Sequence, residues 1–369
     1  MASDFTVDRA SKKYVLGADG FLKEYANDEP AIEFNADGSY KGVLVEPQSI
    51  NLITYSEDFS SWTPLTPPTL TNNYGTSPDG LQNSTRIVGT AGNRIYLPII
   101  GSSATYTYSI YAKGSGQIKI RDNTATYFLD ISLTSEWARY YFTFTASYTT
   151  VQIQLTTTTD GEIWGAQIEE SPIATSYIPT NGSTVTRVKD DIYLTSASSL
   201  IGQTEGTLFA EVDWRVASGQ SQRIMSIFNS GTLTDIIDFY RNNSPDNIRV
   251  NILVDSVQEQ NAQSSYVGTT GIKKIAVAYK TNDTKIFLDG SELASTTSGD
   301  LSNLNLDNVN FGQNVLAGDQ ANMWIRAVAL FTTRLSDAEI SQLTVTPSAQ
   351  QFIFNLSNEV FSTSTLTFS

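Results

Sequence analysis

The stretch Ile163–Thr180, IWGAQIEESPIATSYIPT, decides how this chain is read. A strand-like run, Glu162–Glu169, leads into a segment punctuated by Ser and Pro that ends at Pro179-Thr180. Upstream lies a counterpart, Gly42–Trp62, GVLVEPQSINLITYSEDFSSW. We read the two as the closing and opening strands of one β-sandwich, with the first domain between them.

Residues 49–180 read as short strands separated by turns: Asn51–Tyr55, Thr85–Val88, Tyr106–Lys113, Gln117–Arg121, Ala138–Phe144, Thr150–Thr156 and Glu162–Glu169. Tyr140, Phe142 and Phe144 share one face of their strand, and Tyr141 and Thr143 the other. A period of two marks half-buried antiparallel strands, and regularly spaced strands with turn clusters argue for a sandwich. Before this domain, residues 1–48 carry two Asp-Gly turns, at Gly17–Gly20 and Asn35–Gly38, because glycine accepts positive φ without steric cost. They predict a short N-terminal β arm of hairpins, too small to hold a core alone. After it, residues 181–204 read as a linker with one strand at Asp191–Leu194.

A second sandwich is expected over 205–345, with an Asp-Gly hairpin tip in Lys285–Ser291 and one helix, Leu335–Leu343. Ser336 and Glu339 have the spacing of a capping box, in which each side chain satisfies a free amide of the first turn. Residues 346–369 read as a tail of strand fragments.

Composition narrows the function. The chain has no histidine and no cysteine, which removes the commonest general base, the serine triad, thiolate chemistry and disulfides. A net charge of −15 disfavours a nucleic-acid partner, since phosphate binding needs clustered Lys and Arg. No run of about 18 apolar residues occurs, so no membrane insertion is expected. These features favour a binding or structural role over an enzyme.

At Glu46–Trp62, Ser109–Gly114 (SIYAKG), Glu136–Phe144 (EWARYYFTF) and Trp164–Thr180, the chain resembles virion structural proteins of tailed phages. In that family this signature frames a jelly roll like a carbohydrate-binding module. The second domain resembles concanavalin A-like and laminin-G-like jelly rolls in Gly206–Trp214, Lys273–Leu293 and Met323–Leu343. The fold class so implied is all-β, with two antiparallel β-sandwich jelly-roll domains in tandem after the N-terminal arm. The resemblance implies a tail fibre, capsid fibre or host-recognition component on the particle surface. It also implies assembly with other virion proteins as a homo-oligomer, by default a homotrimer.

Candidate ligand residues follow from side-chain chemistry. Tyrosine rings stack on the apolar face of a pyranose. Tyr111, Lys113 and Tyr141 are candidates for carbohydrate binding in the first sandwich, and Tyr240, Arg241 and Asn242 in the second; core packing and subunit interfaces also consume such rings. Trp137 and Trp164 are assigned to the core. Structural calcium takes six to eight oxygens, and Glu57, Asp58 and Glu169 lie where related jelly rolls hold it; Asp300, Asp307 and Asp319 are loop carboxylates. Glu211 and Asp213 share a strand face like a glycosidase pair, but the third acid is missing, so they read as a half-solvated face and no catalytic residue is assigned. The reading is a phage adhesion protein that recognises host-surface glycan. Its rivals are a purely architectural capsid or tail protein and a polysaccharide-degrading enzyme.

Overall fold

The computed structural model describes residues 5–124, 126–215, 221–243, 246–265, 271–315 and 320–345. The expected tail at 346–369 and Asp319 lie outside them. The described residues are all-β apart from the helix Asp337–Val345 and a 3-10 turn, Phe59–Ser61. Two compact bodies form: one from residues 8–41 and 47–190, the other from the described parts of 1–7, 42–46 and 191 onward.

This partition departs from the expected order of arm, sandwich, linker and sandwich. Residues 1–48 are shared between the bodies, because Val43, Leu44 and Val45 are at most 4% exposed and cannot stand as a free arm. They pair in register with Ile325, Trp324 and Met323 inside the second body. The expected linker is likewise divided. Val185–Arg187 pairs with Ser49–Asn51 in the first body, and Asp191–Leu194 is a strand of the second, against Asn308–Phe311.

In the first body two long strands, Arg94–Ser115 and Ala138–Leu155, run antiparallel from Arg94 opposite Gln154 to Ala112 opposite Ala138. Thr159–Glu169 and Thr85–Gly89 extend the sheet on one side, and Gln117–Asp122 and Phe128–Ser132 on the other. Read from sequence, Ala138–Phe144 and Thr150–Thr156 were separate strands. They are one, bent where the ladder slips between Pro98 and Ala104. Tyr148 lies over Gly101 there: a Cβ at that position would come within 2.1 Å of the ring, so only glycine fits. Inward side chains, among them Ile53, Phe59, Trp62, Tyr108, Ile110, Ile153 and Ile168, gather into one buried core.

The opposite face carries a second cluster of Trp164, Tyr177 and Leu22, flanked by Tyr14, Tyr111 and Trp137. Trp164 is buried in a core cluster as expected, whereas Trp137, also expected in the core, is only partly buried at the rim of this cluster. Trp164 is 1% exposed and 4.5 Å from the Tyr177 ring; Trp137 is half-buried and donates its indole N–H to Thr76 O at 2.9 Å. The hairpin Lys13–Leu16 and Leu22–Tyr25 supplies Tyr14 and Leu22 to the cluster. At its foot Asp190 receives Arg9 at 2.9 Å and Lys13 at 2.6 Å, and the side chains of all three are at most 1% exposed.

In the second body one sheet orders Asp191–Leu194, Asn308–Phe311, Gln222–Phe228, Ile236–Asn243, Asp246–Val254 and Val257–Gln263. The other orders Ser291–Thr296, Asp283–Leu288, Gly271–Lys280, Glu205–Trp214 and Met323–Phe331, followed by the strand containing Val43–Val45. Alternation along Glu205–Trp214 separates Leu208, Ala210, Val212 and Trp214 from Phe209 and Glu211. Phe209 packs with Ala276, Ala278, Phe287 and the helix residue Ile340. The capping box forms as its spacing predicts: Ser336 N donates to Glu339 Oε2 at 2.8 Å, and Glu339 N to Ser336 Oγ at 3.4 Å. Asp289 and Gly290 make the hairpin tip, both at positive φ.

Candidate functional site

The opening and closing stretches meet in a buried polar clasp within the first body. Asn51 donates from Nδ2 to the carbonyls of Ala166, 3.2 Å, and Ile178, 2.8 Å. Its Oδ1 accepts the backbone N–H groups of Ile53, 3.1 Å, and Ile168, 3.2 Å. Thr180 N donates to Ser56 Oγ at 2.8 Å, and Ser56 N donates to Thr180 Oγ1 at 3.1 Å. The Tyr177 hydroxyl lies 2.8 Å from Ser56 Oγ. Buried polar groups need partners, and here one side chain serves four backbone groups.

Beside the clasp opens a cleft of about 520 Å³. It is lined by Glu57, Asp58 and Ser60, by Asn72, Asn73, Asn83 and Thr85, and by Pro179, Thr180 and Asn181. Asp58 caps the 3-10 turn, accepting from Ser60 N at 3.1 Å and Ser61 Oγ at 2.6 Å, with Asn72 Nδ2 at 3.4 Å. Burial works to raise its pKa, but the hydrogen bonds from Ser60, Ser61 and Asn72 outweigh it and hold the carboxyl below its usual range. Glu57 shows the opposite balance. Burial pushes its carboxyl up, the nearby Asp79 adds to the rise, and the Tyr177 hydroxyl donating at 2.8 Å only partly offsets both.

A carboxyl whose folded pKa is raised holds its proton better folded than unfolded. Ionised Glu57 therefore costs stability at neutral pH, and the cost vanishes once pH falls below the unfolded value. Glu57→Gln, which keeps an oxygen for Tyr177, is expected to melt higher than the parent at neutral pH. The difference should shrink to nothing as pH drops through the ordinary carboxylate range, as thermal melts across pH would record.

The positions expected to bind are not all brought together. Glu57 and Asp58 line the cleft, but Glu169 does not. It is fully buried and accepts from Ser49 Oγ, 2.6 Å, Gln167 Nε2, 2.8 Å, Thr175 N, 2.9 Å, and Thr175 Oγ1, 2.6 Å. Its oxygens are saturated by protein donors, which leaves none for a cation. Among the described residues no group of three or more Asp and Glu stands where it would hold a metal ion. Asp300 and Asp307 accept from local hydroxyls and amides at Ser302 and Ser230.

Tyr111 and Lys113 do share a strand face, yet both are occupied. Tyr111 packs 5.5 Å from Trp164 with the Arg139 guanidinium 5.4 Å from its ring. Lys113 pairs with Glu162 at 3.3 Å and sits 5.1 Å from the Trp137 ring. Tyr141 is exposed. In the second body Tyr240 and Asn242 share a face, while Arg241 points to the other. Arg241 is fully buried, bound to Asp246 at 2.9 and 3.0 Å and 5.4 Å from the Trp214 ring, so it is a structural group and not a ligand donor. Asn242 lies 3.5 Å from Ser221 Oγ. Glu211, expected half-solvated, is 4% exposed and engaged by Arg326 at 2.6 Å and Lys274 at 3.9 Å. Lys274 lies directly opposite it on the next strand, so a cation from each flanking strand closes over the carboxylate.

Sequence reasoning missed the asparagines of the cleft. Their signal is the doublet Asn72-Asn73 and the Asn181-Gly182 turn; Asn73 has φ +53 and Gly182 φ +89, conformations these residues adopt at little cost.

No family model and no curated protein matches the chain. Among solved structures it is similar to the carbohydrate-binding module CBM40 of the Ruminococcus gnavus IT-sialidase, at 16% identity over 39% of this chain and 84% of that one, with a TM-score of 0.31. It is also similar to domain 4 of the arabinanase AbnA of Geobacillus stearothermophilus, solved with arabinotriose, at 11% identity over 47% of this chain and 84% of that one, TM-score 0.33. A third is the heptameric SAP-like pentraxin of Limulus polyphemus, at 10% identity over 41% of this chain and 74% of that one, TM-score 0.34.

Proposed function

We propose that this chain is an adhesion component of a tailed-phage particle, and that the cleft beside Glu57 holds the hydroxyl groups of a host-surface glycan. The observation that carries the binding half is the lining: carboxylates that accept and amides that both donate and accept, gathered around one cleft. Vicinal sugar hydroxyls ask for that mixture. The virion half is supported by the signature at Glu46–Trp62 and Trp164–Thr180. Binding proceeds without turnover in this reading, consistent with Glu211 being spent on Arg326 and Lys274. The oligomer is the trimer that the resemblance implies, and a light-scattering mass of one chain, 40.4 kDa, contradicts it.

The test is an array of host-derived glycans probed with the full chain and with Asn73→Gly/Asn181→Ala. Glycine keeps the positive φ of residue 73 and deletes only the amide. Each lost hydrogen bond is worth about 0.5–1.5 kcal/mol, so the pair should weaken binding by about tenfold or more. A parent chain that binds no glycan leaves the architectural rival standing. Undiminished binding by the double variant removes the cleft as the site.

A further inference from the structure

One sheet face of the first body gathers cations that the fold leaves unanswered. Arg94, Tyr96, Lys119, Arg121, Gln152 and Gln154 alternate with Ile95, Ile118, Ile120, Val151, Ile153 and Leu155, which fill the core. The polar set therefore takes the outer face. Register sets Arg94, Gln154 and Lys119 abreast in one row, and Tyr96, Gln152 and Arg121 in the next.

Of the three cations, Lys119 is paired: it lies 3.3 Å from Asp130 and 4.0 Å from the Phe128 ring centroid. Arg121 donates from Nε to Asp122 O and from Nη1 to Gln154 Oε1, both at 3.1 Å, but forms no ion pair among the described residues. The Arg94 guanidinium has neither hydrogen bond nor ion pair among the described residues; its Nε is buried, and its Nη edge is the part left open to solvent. The two guanidiniums feel each other. Burial, and then the charge of Arg94, hold Arg121 below its usual range, and Asp122 offsets only part of this. The Asp122 carboxylate is itself engaged by Thr124, through N at 3.1 Å and Oγ1 at 2.5 Å. Like charges on neighbouring strands oppose folding. Acidic residues outnumber basic ones 38 to 23, so the missing carboxylate is a local shortage and not a compositional one.

We infer that this face binds a tetrahedral anionic ester, sulfate or phosphate, carried on a sugar chain. The strand of Gln154 runs between those of Arg94 and Arg121, so cations flank that amide on two sides. A tetrahedral group turns oxygens toward both at once, whereas a carboxylate lies in one plane and suits a single guanidinium edge. Tyr96, half-buried in the adjoining row, offers a ring face to the sugar. The net charge of −15 does not bar approach, because charges farther than about 8 Å are largely screened at physiological salt.

Calorimetric titration of the full chain with a sulfated galactose tetramer, its phosphorylated counterpart and the unmodified tetramer tests this. One of the esters should bind about tenfold or more tighter than the neutral sugar, the worth of a charge-assisted hydrogen bond, and the tighter of the two names the anion. Arg94→Gln and Arg121→Gln should each erase that margin. Arg94→Gln should also melt no lower than the parent, since its guanidinium has no bond to lose and a like charge disappears; a structural arginine would melt lower, and that result overturns the inference. Asn73→Gly/Asn181→Ala should leave the margin intact, so this face stands or falls apart from the cleft. Equal affinity for esters and neutral sugar overturns the inference, as does an undiminished margin in Arg94→Gln. Self-association of the chain that Arg94→Gln abolishes, with neither ester bound, would assign the face to the acidic surface of a second copy instead.

Discussion

Asp190→Ala is expected to cost the first body about 3–5 kcal/mol or more, the largest single loss in this protein, read as the midpoint shift in urea unfolding. Asp190 is the common partner of Arg9 and Lys13, and the side chains of all three are at most 1% exposed. Removing the carboxylate takes from two buried cations the charge they share. The attraction that is lost matters less than the solvation the buried cations cannot recover. This argument has a sharp corollary. Replacing all three residues together, as Arg9→Met, Lys13→Met and Asp190→Leu, should cost less than Asp190→Ala alone, because no unpaired charge remains. A triple variant as unstable as the single one would mean that the geometry of the ion cluster, not its charge balance, holds the hairpin foot.

Asn51→Ala should follow closely, at about 3–5 kcal/mol. Four backbone groups, Ala166 O, Ile178 O, Ile53 N and Ile168 N, lose their partner in a site closed to water, and each stranded group costs about 1–3 kcal/mol before relaxation. Asn51→Asp tests the same claim by chemistry instead of volume. It keeps the acceptor for Ile53 and Ile168 but turns a donor into an acceptor aimed at two carbonyls. It should therefore destabilise nearly as much at neutral pH, and less in acid where the carboxyl regains a proton. A loss under about 1 kcal/mol in either variant would contradict the clasp, since it would equal an ordinary exposed hydrogen bond.

Much of the architecture was legible because strands announce themselves by a period of two and turns by residues that tolerate positive φ. The Asp289-Gly290 tip, the Ser336–Glu339 capping box and the strand Asp191–Leu194 all follow from local chemistry that tertiary packing did not override. The bend near Gly101 was not legible. The Tyr148 ring that requires the glycine lies far along the chain, so nothing local marks the bend. The same limit explains Glu169 and Arg241. A carboxylate in a closing motif looks identical whether hydroxyls and amides saturate it or a cation does, and an arginine at a strand end looks identical whether it faces solvent or Asp246. Which face a side chain takes depends on register, and register slips, as between Arg223 and Met225, are invisible without the partner strand.

The cleft shares its walls with the clasp. Tyr177 donates to Glu57 on the cleft side and lies against Ser56 on the clasp side, so the signature that joins the two ends of the sandwich also holds one carboxylate that lines the site. Stability and recognition are therefore coupled at Tyr177: changes that loosen the clasp should weaken ligand binding without touching the ligand.

Hydrogen–deuterium exchange on the full chain, with and without the glycan that scores on the array, tests the central claim most directly. The account predicts that ligand slows exchange at residues 57–61, 72–75, 83–85 and 179–182 around the cleft. Protection confined to other strands of the first body, with those segments unchanged while the glycan is bound, would contradict it.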